Sequence, residues 1–357
     1  MGDLHCTPEE GSLHYCGEYM YNESDSPKLF PVSFKIISLA FGSHTVCLDV
    51  DGNVRSCGDN DFGQLGLDNK VAFYSLTFQR VNLPFSCKQV SCGQYFTICL
   101  LDNGDVYSFG YTKYCGLGIG TTDDCFIPQK IPNLQDIEFV ECVHTHVFCK
   151  SIHNQLYGWG NNERGKLGLS GTNYHCSPVL YTNWPDNIVD IKCGVSHTLV
   201  LTSNQEVFTC GNNVCGQLGR KLATTFDTSL IIVEGLSEIT RIECGNYHSM
   251  CIDNYENLFI FGDNEYGQLG LGDTNTRYTP IKHPSLSNII DISKGGFQTF
   301  TKTSNNEIYA FGQNNYSQLG IKTEDKNQLT PIRVFEDNED IWCSNISIKS
   351  RAKSARK

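Results

Sequence analysis

The chain has 357 residues, 18% of them charged, and a formal net charge of −12. Its last nine residues, KSRAKSARK (349–357), carry five positive charges, so the residues before them carry −17. Nucleic-acid binding depends on Lys and Arg side chains that neutralise phosphates. The acidic body is therefore excluded as a nucleic-acid surface, and only Lys349–Lys357 could make such a contact.

Membrane-spanning and secretory segments are not expected. No apolar run approaches the roughly 20 residues of a membrane-spanning helix, and the chain shows no charged and apolar leader with a small-residue cleavage site. Most of the 18 cysteines fall at repeat positions where other units carry aromatic or aliphatic residues. Cysteine used in this way is a small buried hydrophobic residue. We therefore expect a reduced protein of the cytoplasm, the nucleus or both, without a membrane partner.

A glycine recurs along the chain, and from its second copy onward the interval is 50–52 residues. The copies are Gly17, Gly58, Gly110, Gly160, Gly211, Gly262 and Gly312. Most copies open a nine-residue segment such as GDNDFGQLG (58–66) or GDNEYGQLG (262–270), whereas GYTKYCGLG (110–118) keeps only the frame. Self-similarity at this period is typical of a stacked or circular repeat architecture.

Each unit contains the pattern of four short strands. FTICLLDNGDVYSFG (96–110) and HTLVLTSNQEVFTCG (197–211) alternate apolar and polar residues on both sides of a turn, which indicates a β-hairpin. An apolar segment precedes this hairpin, and the GQLG turn and a looser apolar run follow it. Four strands in about 50 residues, without helical periodicity, predict one blade of an all-β propeller.

The two ends of the chain predict the number of blades. SLHYCG (12–17) matches the strand that ends in the recurring glycine, and DIWCSNISIK (340–349) matches the opening of a unit. Six complete units and these two halves predict a seven-bladed β-propeller, closed by a blade that both chain ends share. We divide the chain into an N-terminal tail (1–11), a single propeller (12–348) and a basic C-terminal tail (349–357). That last segment is either a disordered terminus or a functional tail, and we expect a monomer.

Residues that could carry chemistry mostly coincide with the repeat. Four histidines recur fourteen residues before the glycine, namely His44, His146, His197 and His248. They could converge on a metal, but the favoured interpretation is that each one fixes its own loop by bonding to backbone. GNNERGK (160–166) resembles the start of a phosphate-binding loop, yet Leu167 replaces the required Ser or Thr and no helix follows. Cysteine spacing indicates no zinc site. We expect no metal, no cofactor and no nucleophile–base pair, and we assign no catalytic residue.

The best candidate for function is a ring of loops just before the repeated histidine position. These loops are partly aromatic and carry few charges, which is typical of a protein-binding surface on a rigid scaffold. The alternative is that the aromatic rings pack between blades. The candidate partner-binding residues are Gln94, Tyr95, Phe96, His144, Asn246, Tyr247 and Phe297. The recurring glycines and histidines are interpreted as structural.

The repeat resembles that of the regulator-of-chromosome-condensation family. The clearest copies are CGVSHTLVLTSNQEVFTCGNNVCGQLG (193–219) and CGNYHSMCIDNYENLFIFGDNEYGQLG (244–270), and the resemblance covers residues 12–349. It implies a seven-bladed propeller and a protein partner, such as a small GTPase. The founding member is a guanine-nucleotide exchange factor for the GTPase Ran, so the resemblance also implies exchange activity.

Two features of that exchange factor have no counterpart in this sequence. The acidic residues of its loops before the histidine are absent, and the uniform unit length leaves no room for its inserted β-wedge. A non-catalytic interaction scaffold is therefore the alternative function. Chromatin association through the basic tail is the third.

Overall fold

The protein is built from small antiparallel sheets that follow one another along the chain. The computed structural model describes residues 3–7, 12–19, 22–30, 34–68, 73–121, 123–185, 187–321 and 326–334. These residues form six sheets of four strands, here called blades 1–6, and one sheet of three strands. In every blade the four strands pair in chain order, so each blade is a meander. The predicted all-β propeller of four-stranded units is confirmed.

The strands of the six blades occupy equivalent places in each unit. The first strands are β4 (Ile36–Phe41), β8 (Cys87–Cys92), β12 (Ile137–Val143), β16 (Ile188–Cys193), β20 (Ile239–Cys244) and β24 (Ile289–Lys294). The second strands are β5 (His44–Asp49), β9 (Phe96–Leu101), β13 (His146–Ser151), β17 (His197–Thr202), β21 (His248–Asp253) and β25 (Gln298–Thr303). The third strands are β6 (Val54–Asp59), β10 (Val106–Gly110), β14 (Leu156–Gly160), β18 (Val207–Asn212), β22 (Leu258–Gly262) and β26 (Ile308–Gln313). The fourth strands are β7 (Tyr74–Arg80), β11 (Cys125–Lys130), β15 (His175–Leu180), β19 (Phe226–Ile232), β23 (Arg277–Lys282) and β27 (Asn327–Val334). A 3-10 helix, Glu163–Gly165, lies between β14 and β15.

The hydrophobic core lies between blades rather than within one sheet. First strands of successive blades contact each other around a central axis. Side chains of adjacent blades then interdigitate, as where Ile98 and Val106 of blade 2 pack with Val140 and Trp159 of blade 3. Because each blade buries its apolar faces against its neighbours, the stability of one unit depends on the next one.

The recurring glycine is required by backbone geometry. Gly262 has φ +112°, and a Cβ atom there would lie 2.7 Å from the Cα of His248. The glycine lies at a break in the ladder between β22 and β23, where the register shifts after Ile260. Any larger residue would be strained at this bulge and would collide with the paired strand.

The nine-residue segment after the glycine is a self-bonded turn. The backbone N–H of its leucine donates to the side-chain oxygen of its asparagine in five units. In blade 5 this bond joins Leu269 N to Asn264 Oδ1 at 2.9 Å. The final glycine, Gly270, packs against the ring of Phe311 in the next blade, where a Cβ atom would lie 2.8 Å from the ring. The segment is therefore a structural turn that also positions the neighbouring blade.

The predicted count of seven blades with a shared closing blade is not confirmed. The described residues form six four-stranded blades, and the remaining sheet pairs β1 (Asp3–Thr7), β2 (Ser12–Tyr19) and β3 (Asn22–Phe30), all from the N-terminal part. β1 lies within residues 1–11, which were predicted to be a tail. The strand was not predicted because five residues give too short a pattern to indicate one. The predicted C-terminal closing strand (340–349) and the basic tail lie outside the described residues.

Most described cysteines are buried thiols, as expected. Cys92, for example, is 5% exposed, and burial raises the pKa of its thiol to about 12. Cys115 of blade 2 and Cys176 of blade 3 depart from the expected fully reduced chain, because they form a disulfide.

Candidate partner-binding face

One end of the propeller carries both families of repeated loops. The loop between the first and second strands and the turn between the third and fourth strands emerge at the same end, because the strands are antiparallel. We call this end the turn face. The opposite end carries the hairpin tips between second and third strands, such as residues 253–257.

Backbone hydrogen bonds tie the loops before the repeated histidine to one another. The backbone N–H of one loop donates to a carbonyl oxygen of the loop in the next blade, at 2.8–3.1 Å. The bonds are Ser43 N to Gln94 O, Gln94 N to His144 O, Val195 N to Asn246 O, and Asn246 N to Gly296 O. We call this arrangement the loop belt. It holds the candidate side chains on a backbone that is bonded from blade to blade.

Each repeated histidine joins two blades. His248 Nε2 lies 2.9 Å from Thr299 Oγ1 of the next blade, and that hydroxyl donates to the carbonyl oxygen of Gln268 at 2.8 Å. His44 makes the same contact with Thr97 at 2.7 Å, and His146 and His197 make it with Thr198 and Ser249. The prediction that each histidine bonds to the backbone of its own loop is therefore wrong, since its partner is a hydroxyl one unit further along the chain.

The hydrogen-bond pattern assigns a neutral tautomer to these rings. The Thr299 hydroxyl uses its only proton on Gln268, so it must accept from His248 Nε2–H. Nδ1 of His44 and of His248 is buried without a hydrogen-bond partner. A second proton there would be an unpaired buried charge, and burial accordingly lowers the pKa of both rings to about 3.

The glycine before each loop leaves room for the imidazole ring of the repeated histidine. A Cβ atom on Gly245 would lie 2.0 Å from the His248 ring, and one on Gly194 would lie 2.2 Å from the His197 ring. The pattern Cys-Gly-x-x-His is thus explained by packing between glycine and imidazole. Among the described residues, no group of three or more His, Cys, Asp or Glu side chains is placed to hold a metal ion.

The predicted aromatic residues lie in two clusters on the turn face. Tyr95 belongs to a series of ring contacts across blades 1–3, with neighbouring centroids 4.2–6.4 Å apart. This series, the aromatic chain, comprises Phe62, Tyr95, Tyr111, Tyr114 and Tyr174. Tyr247 and Phe297 meet Tyr266 in a second cluster, the aromatic trio, with centroids 5.1–5.9 Å apart.

The predicted aromatic residues differ in solvent exposure. Tyr95, Tyr247 and Phe297 are half-buried, so each keeps part of its ring accessible. Phe96 is 3% exposed, and its ring packs against Gly93 and Gly116. Phe96 is therefore a core residue that replaces the usual histidine, and its prediction as a partner-binding residue is wrong.

Gln94, His144 and Asn246 are half-buried loop residues of the belt. Gln94 Nε2 donates to the Tyr95 hydroxyl at 3.2 Å, which orients the ring beside it. His144 has a left-handed φ of 57°. Burial and the nearby Lys166 ammonium lower its pKa to about 4. The backbones of all three residues belong to the loop belt, so their side chains project from a fixed frame.

Sequence reasoning missed the aromatic and acidic residues in the nine-residue turns. Position five of the turn is aromatic in four units: Phe62, Tyr114, Tyr266 and Tyr316. Position four is exposed in all six, and in three units it is acidic: Asp61, Glu163 and Glu265. Comparing the variable positions of the turn between units would have found both sets. The turn face thus combines half-buried aromatic rings with exposed carboxylates.

The turn that resembles a phosphate-binding loop is part of this scaffold. Lys166 is 4% exposed, and its Nζ donates to Thr145 Oγ1 at 3.3 Å and to the carbonyl oxygen of Val195 at 3.4 Å. Burial lowers the pKa of Lys166 to about 8. The side chain links blades 3 and 4 at the level of the loop belt, so it does not point toward a phosphate in the turn.

A cavity of about 460 Å³ runs along the axis between the first strands and reaches the loop belt. Lys192 in its wall is 5% exposed and lies 3.6 Å from Asp190. Burial alone would lower the pKa of Lys192, but the carboxylates of Glu141, Asp190 and Glu243 outweigh it and raise the pKa. Glu141 and Lys192 line this cavity together with Gln94, His144, Asn246 and Tyr247 of the loop belt, so the buried charges and part of the turn face share one cavity.

Comparison with known proteins identifies the family. An RCC1-like domain model matches residues 137–355, and the regulator of chromosome condensation (RCC1) repeat model matches residues 51–100 and 103–149. The chain belongs to the RCC1 repeat family. A second RCC1 repeat model matches residues 36–64 and 87–115, so the matched segments cover the same units that form blades 1–6.

Two curated relatives that match this chain are longer proteins. The Ultraviolet-B receptor UVR8 of Arabidopsis thaliana is 28% identical over 72% of this chain and 61% of its own length. The probable E3 ubiquitin-protein ligase HERC4 of Homo sapiens is 32% identical over 67% of this chain and 28% of its own length. The chain therefore spans less than two thirds of either relative.

Solved structures share the fold. Human WBSCR16 superimposes with a TM-score of 0.80 and 21% identity, covering 88% of this chain and 86% of that one. Prp20p from Saccharomyces cerevisiae, studied for its binding to Gsp1p and histones, gives a TM-score of 0.79 and 20% identity, covering 94% of this chain and 87% of that one. At these identities the likeness is one of fold. Separately, a search of the described residues finds no helix suited to crossing a membrane.

Proposed function

We propose that this chain is a protein-binding propeller that regulates a small GTPase, with a Ran-like target, through its turn face. The observation that carries the proposal is the pair of aromatic clusters held on the loop belt. Aromatic rings on a fixed backbone lose little conformational freedom on binding, which is why they dominate protein-binding surfaces. The candidate contact residues are Gln94, Tyr95, His144, Asn246, Tyr247 and Phe297 from the loops, together with Phe62, Tyr114 and Tyr266 from the turns.

Exposed acidic residues on the turn face support a partner with a basic surface. Asp61 and Glu265 are exposed and directly precede Phe62 and Tyr266. Glu163 lies at the equivalent place in blade 3 and is also exposed. A partner that offers Lys or Arg around an apolar centre would meet complementary charge at the rim, which favours fast and selective association.

The class of partner comes from the family. The structure of Prp20p is described with its binding to Gsp1p and histones, and another structure shows yeast RCC1 (Prp20) with Kap60 bound. These partners belong to that protein. A small GTPase is the partner class that we carry over, because the acidic body argues against a nucleic-acid role for the propeller itself.

Guanine-nucleotide exchange is the candidate activity, and it requires stronger binding to the nucleotide-free GTPase than to the loaded one. The six turns between third and fourth strands are 13 or 14 residues long, and the only regular element within their described residues is the 3-10 helix Glu163–Gly165. That uniformity favours the second candidate function, a non-catalytic scaffold that binds its partner without accelerating nucleotide release.

Other expectations from the sequence remain proposals. A seventh blade to which both chain ends contribute would close the ring, and the protein would be monomeric. The basic tail Lys349–Lys357 would serve as an address or a contact for nucleic acid, and with it chromatin association is the third functional candidate. The protein would act in the cytoplasm, the nucleus or both, without a cofactor.

The proposal is tested by loading Ran-, Arf- and Rab-type GTPases with fluorescent GDP and measuring its release with the purified chain. Acceleration by about 100-fold or more on one GTPase would support exchange. Binding to a nucleotide-free GTPase without acceleration would support the scaffold. Absence of binding to every member of the panel would overturn the small-GTPase proposal.

Matched variants locate the binding face. Tyr95→Ala and Tyr247→Ala remove half-buried rings from the turn face, and each should weaken binding about tenfold or more. Tyr255→Ala is the control, because Tyr255 is 69% exposed at a hairpin tip on the opposite end. Equal loss of affinity in all three variants would refute the assignment of the turn face.

A further inference from the structure

Position six of the nine-residue turn is glycine in four units, cysteine in blade 2 and serine in blade 6. The residues there are Gly63, Cys115, Gly165, Gly216, Gly267 and Ser317, and all six have a left-handed φ between 57° and 82°. A cysteine at such a position is unusual, since this backbone region favours glycine. The cysteine lies in blade 2, within the stretch of the turn face that carries the aromatic chain.

The neighbouring blade explains why this position is normally glycine. A Cβ atom on Gly63, Gly165, Gly216 or Gly267 would lie 2.6–2.9 Å from the Cα of a residue on the fourth strand of the next blade. The four facing residues are Phe126, Thr228, Tyr278 and Leu329. The turn and the next fourth strand thus touch backbone to backbone in each of these units.

In blade 2 the facing residue is also a cysteine. Cys176 is the second residue of β15, which is the place that Phe126 occupies in β11. The Cα atoms of Cys115 and Cys176 are 4.3 Å apart, and the two residues are disulfide-bonded across a sequence separation of 61. Both members of a tight contact have therefore been replaced together by the one residue type that can join them covalently.

The bond lies beneath the aromatic chain of the turn face. Tyr114 directly precedes Cys115, Tyr174 lies two residues before Cys176, and the two rings are in contact with centroids 6.1 Å apart. Gly120 N donates to the carbonyl oxygen of Cys176 at 2.8 Å, which gives the two blades a further contact at this place. Cys115 is 6% exposed and Cys176 is half-buried, so a thiol in solution reaches the pair from the Cys176 side.

We propose that Cys115 and Cys176 form a redox-controlled link between blades 2 and 3, opened and closed by low-molecular-weight thiols and disulfides of the glutathione class. In opening, the thiolate of one glutathione attacks Cys176 Sγ and breaks the Cys115–Cys176 bond, and the released Cys115 thiolate takes up a proton. A second glutathione attacks the mixed disulfide and releases Cys176 as a thiol together with oxidised glutathione. Closing is the reverse reaction, in which oxidised glutathione accepts the two electrons.

The consequence of opening is local. Without the bond, the turn 111–118 and strand β15 keep only non-covalent contacts, so the Tyr114–Tyr174 end of the aromatic chain becomes less ordered. The chemistry of the link is independent of any partner. Its effect on binding rests on the proposed function.

The first test titrates the 357-residue chain in glutathione buffers from fully oxidised to fully reduced, followed by alkylation and peptide mass spectrometry. Cys115 and Cys176 should become alkylated together, with a midpoint that depends on the square of the reduced glutathione concentration. Cys125 and Cys215 are half-buried single thiols, so each should be found either alkylated or carrying one glutathione and never in a cross-linked peptide pair, which makes them internal controls. Independent alkylation of Cys115 and Cys176, or full alkylation of both in oxidised glutathione, would overturn the proposal.

The second test measures hydrogen exchange of the oxidised and reduced protein. Peptides covering 111–124 and 174–180 should exchange about tenfold faster after reduction, and peptides of blades 5 and 6 should not change. Cys115→Gly restores the glycine of the other units and should fold while losing this response to reductant, and Cys176→Ser should lose it as well. A reductant response that persists in both variants would overturn the link. If the link passes both tests but no GTPase binds, the proposed function fails and the redox link stands.

Discussion

Replacing His248 with glutamine should lower the free energy of unfolding at neutral pH. In acid, the variant should be more stable than the natural protein. Gln298 occupies the equivalent position in the sixth unit, where its Oε1 accepts from Phe297 N at 3.1 Å, so the fold accommodates this side chain. At neutral pH the variant loses the bond from Nε2–H to Thr299, which costs about 1 kcal/mol.

The loss of stability in acid follows because His248 binds a proton more readily in the unfolded chain than in the folded one. Burial lowers the pKa of His248 from 6.5 to about 3. The unfolded chain therefore takes up a proton below pH 6.5 while the folded ring stays neutral, so this stabilisation is present above pH 6.5 and is lost as the pH falls toward 3. One proton corresponds to about 1.4 kcal/mol per pH unit, or about 2.7 kcal/mol between pH 6.5 and pH 4.5. The two stability curves should cross at about pH 5.8.

The assay is equilibrium unfolding in urea, followed by intrinsic fluorescence, from about pH 7.5 to about pH 4.5. His153→Gln is the matched control, because His153 is exposed at a hairpin tip and its side chain is 65% accessible. The control should keep the pH dependence of the natural protein. If His248→Gln keeps it too, the buried neutral histidine is refuted as a source of acid sensitivity.

Three further predictions concern stability and share the same assay. Gly245→Ala should destabilise the fold by about 3 kcal/mol or more, because its Cβ would lie 2.0 Å from the His248 ring. Gly235→Ala is the comparison without a clash, since no atom lies within 4 Å of its Cβ, and it should cost only about 1 kcal/mol from its left-handed φ of 81°. Asn264→Ala should cost about 2 kcal/mol, because it removes the acceptor of Leu269 N and the donor to Asp273; Asn315→Ala, at an exposed turn position, should stay within about 0.5 kcal/mol. Lys192→Met should cost about 3 kcal/mol or more, because it leaves the carboxylates of Glu141, Asp190 and Glu243 without this cation. Adding Asp190→Asn should recover part of that loss.

The repeat made the architecture of each unit predictable from sequence. The recurring glycine, the hairpin alternation and the Asn and Leu of the turn are all needed by one unit, so each copy independently indicates the same four strands. The number of blades was less predictable, since it depends on how segments far apart in the chain pair. The five residues of β1 give too little pattern to be recognised as a strand.

Contacts between units were the least predictable part of the site. Phe96 has the residue type and the position next to a loop that are typical of a binding residue. It is nevertheless buried, because it fills the space that His44 or His248 fills in other units. The histidines were interpreted as structural, but their hydroxyl partners lie 51–53 residues away and cannot be inferred from one unit. The aromatic residues at position five were missed because the turn was interpreted as a structural repeat and its variable positions were not compared between units.

The central claim is that the turn face binds a protein partner. The most direct measurement is a hydrogen-exchange footprint of a nucleotide-free Ran-type GTPase on the full chain. We expect protection in the loops at 93–97 and 245–248 and in the turns at 61–64 and 263–268, with the hairpin tip at 253–257 unchanged. Protection confined to the hairpin tips, or to no part of the turn face, would contradict it.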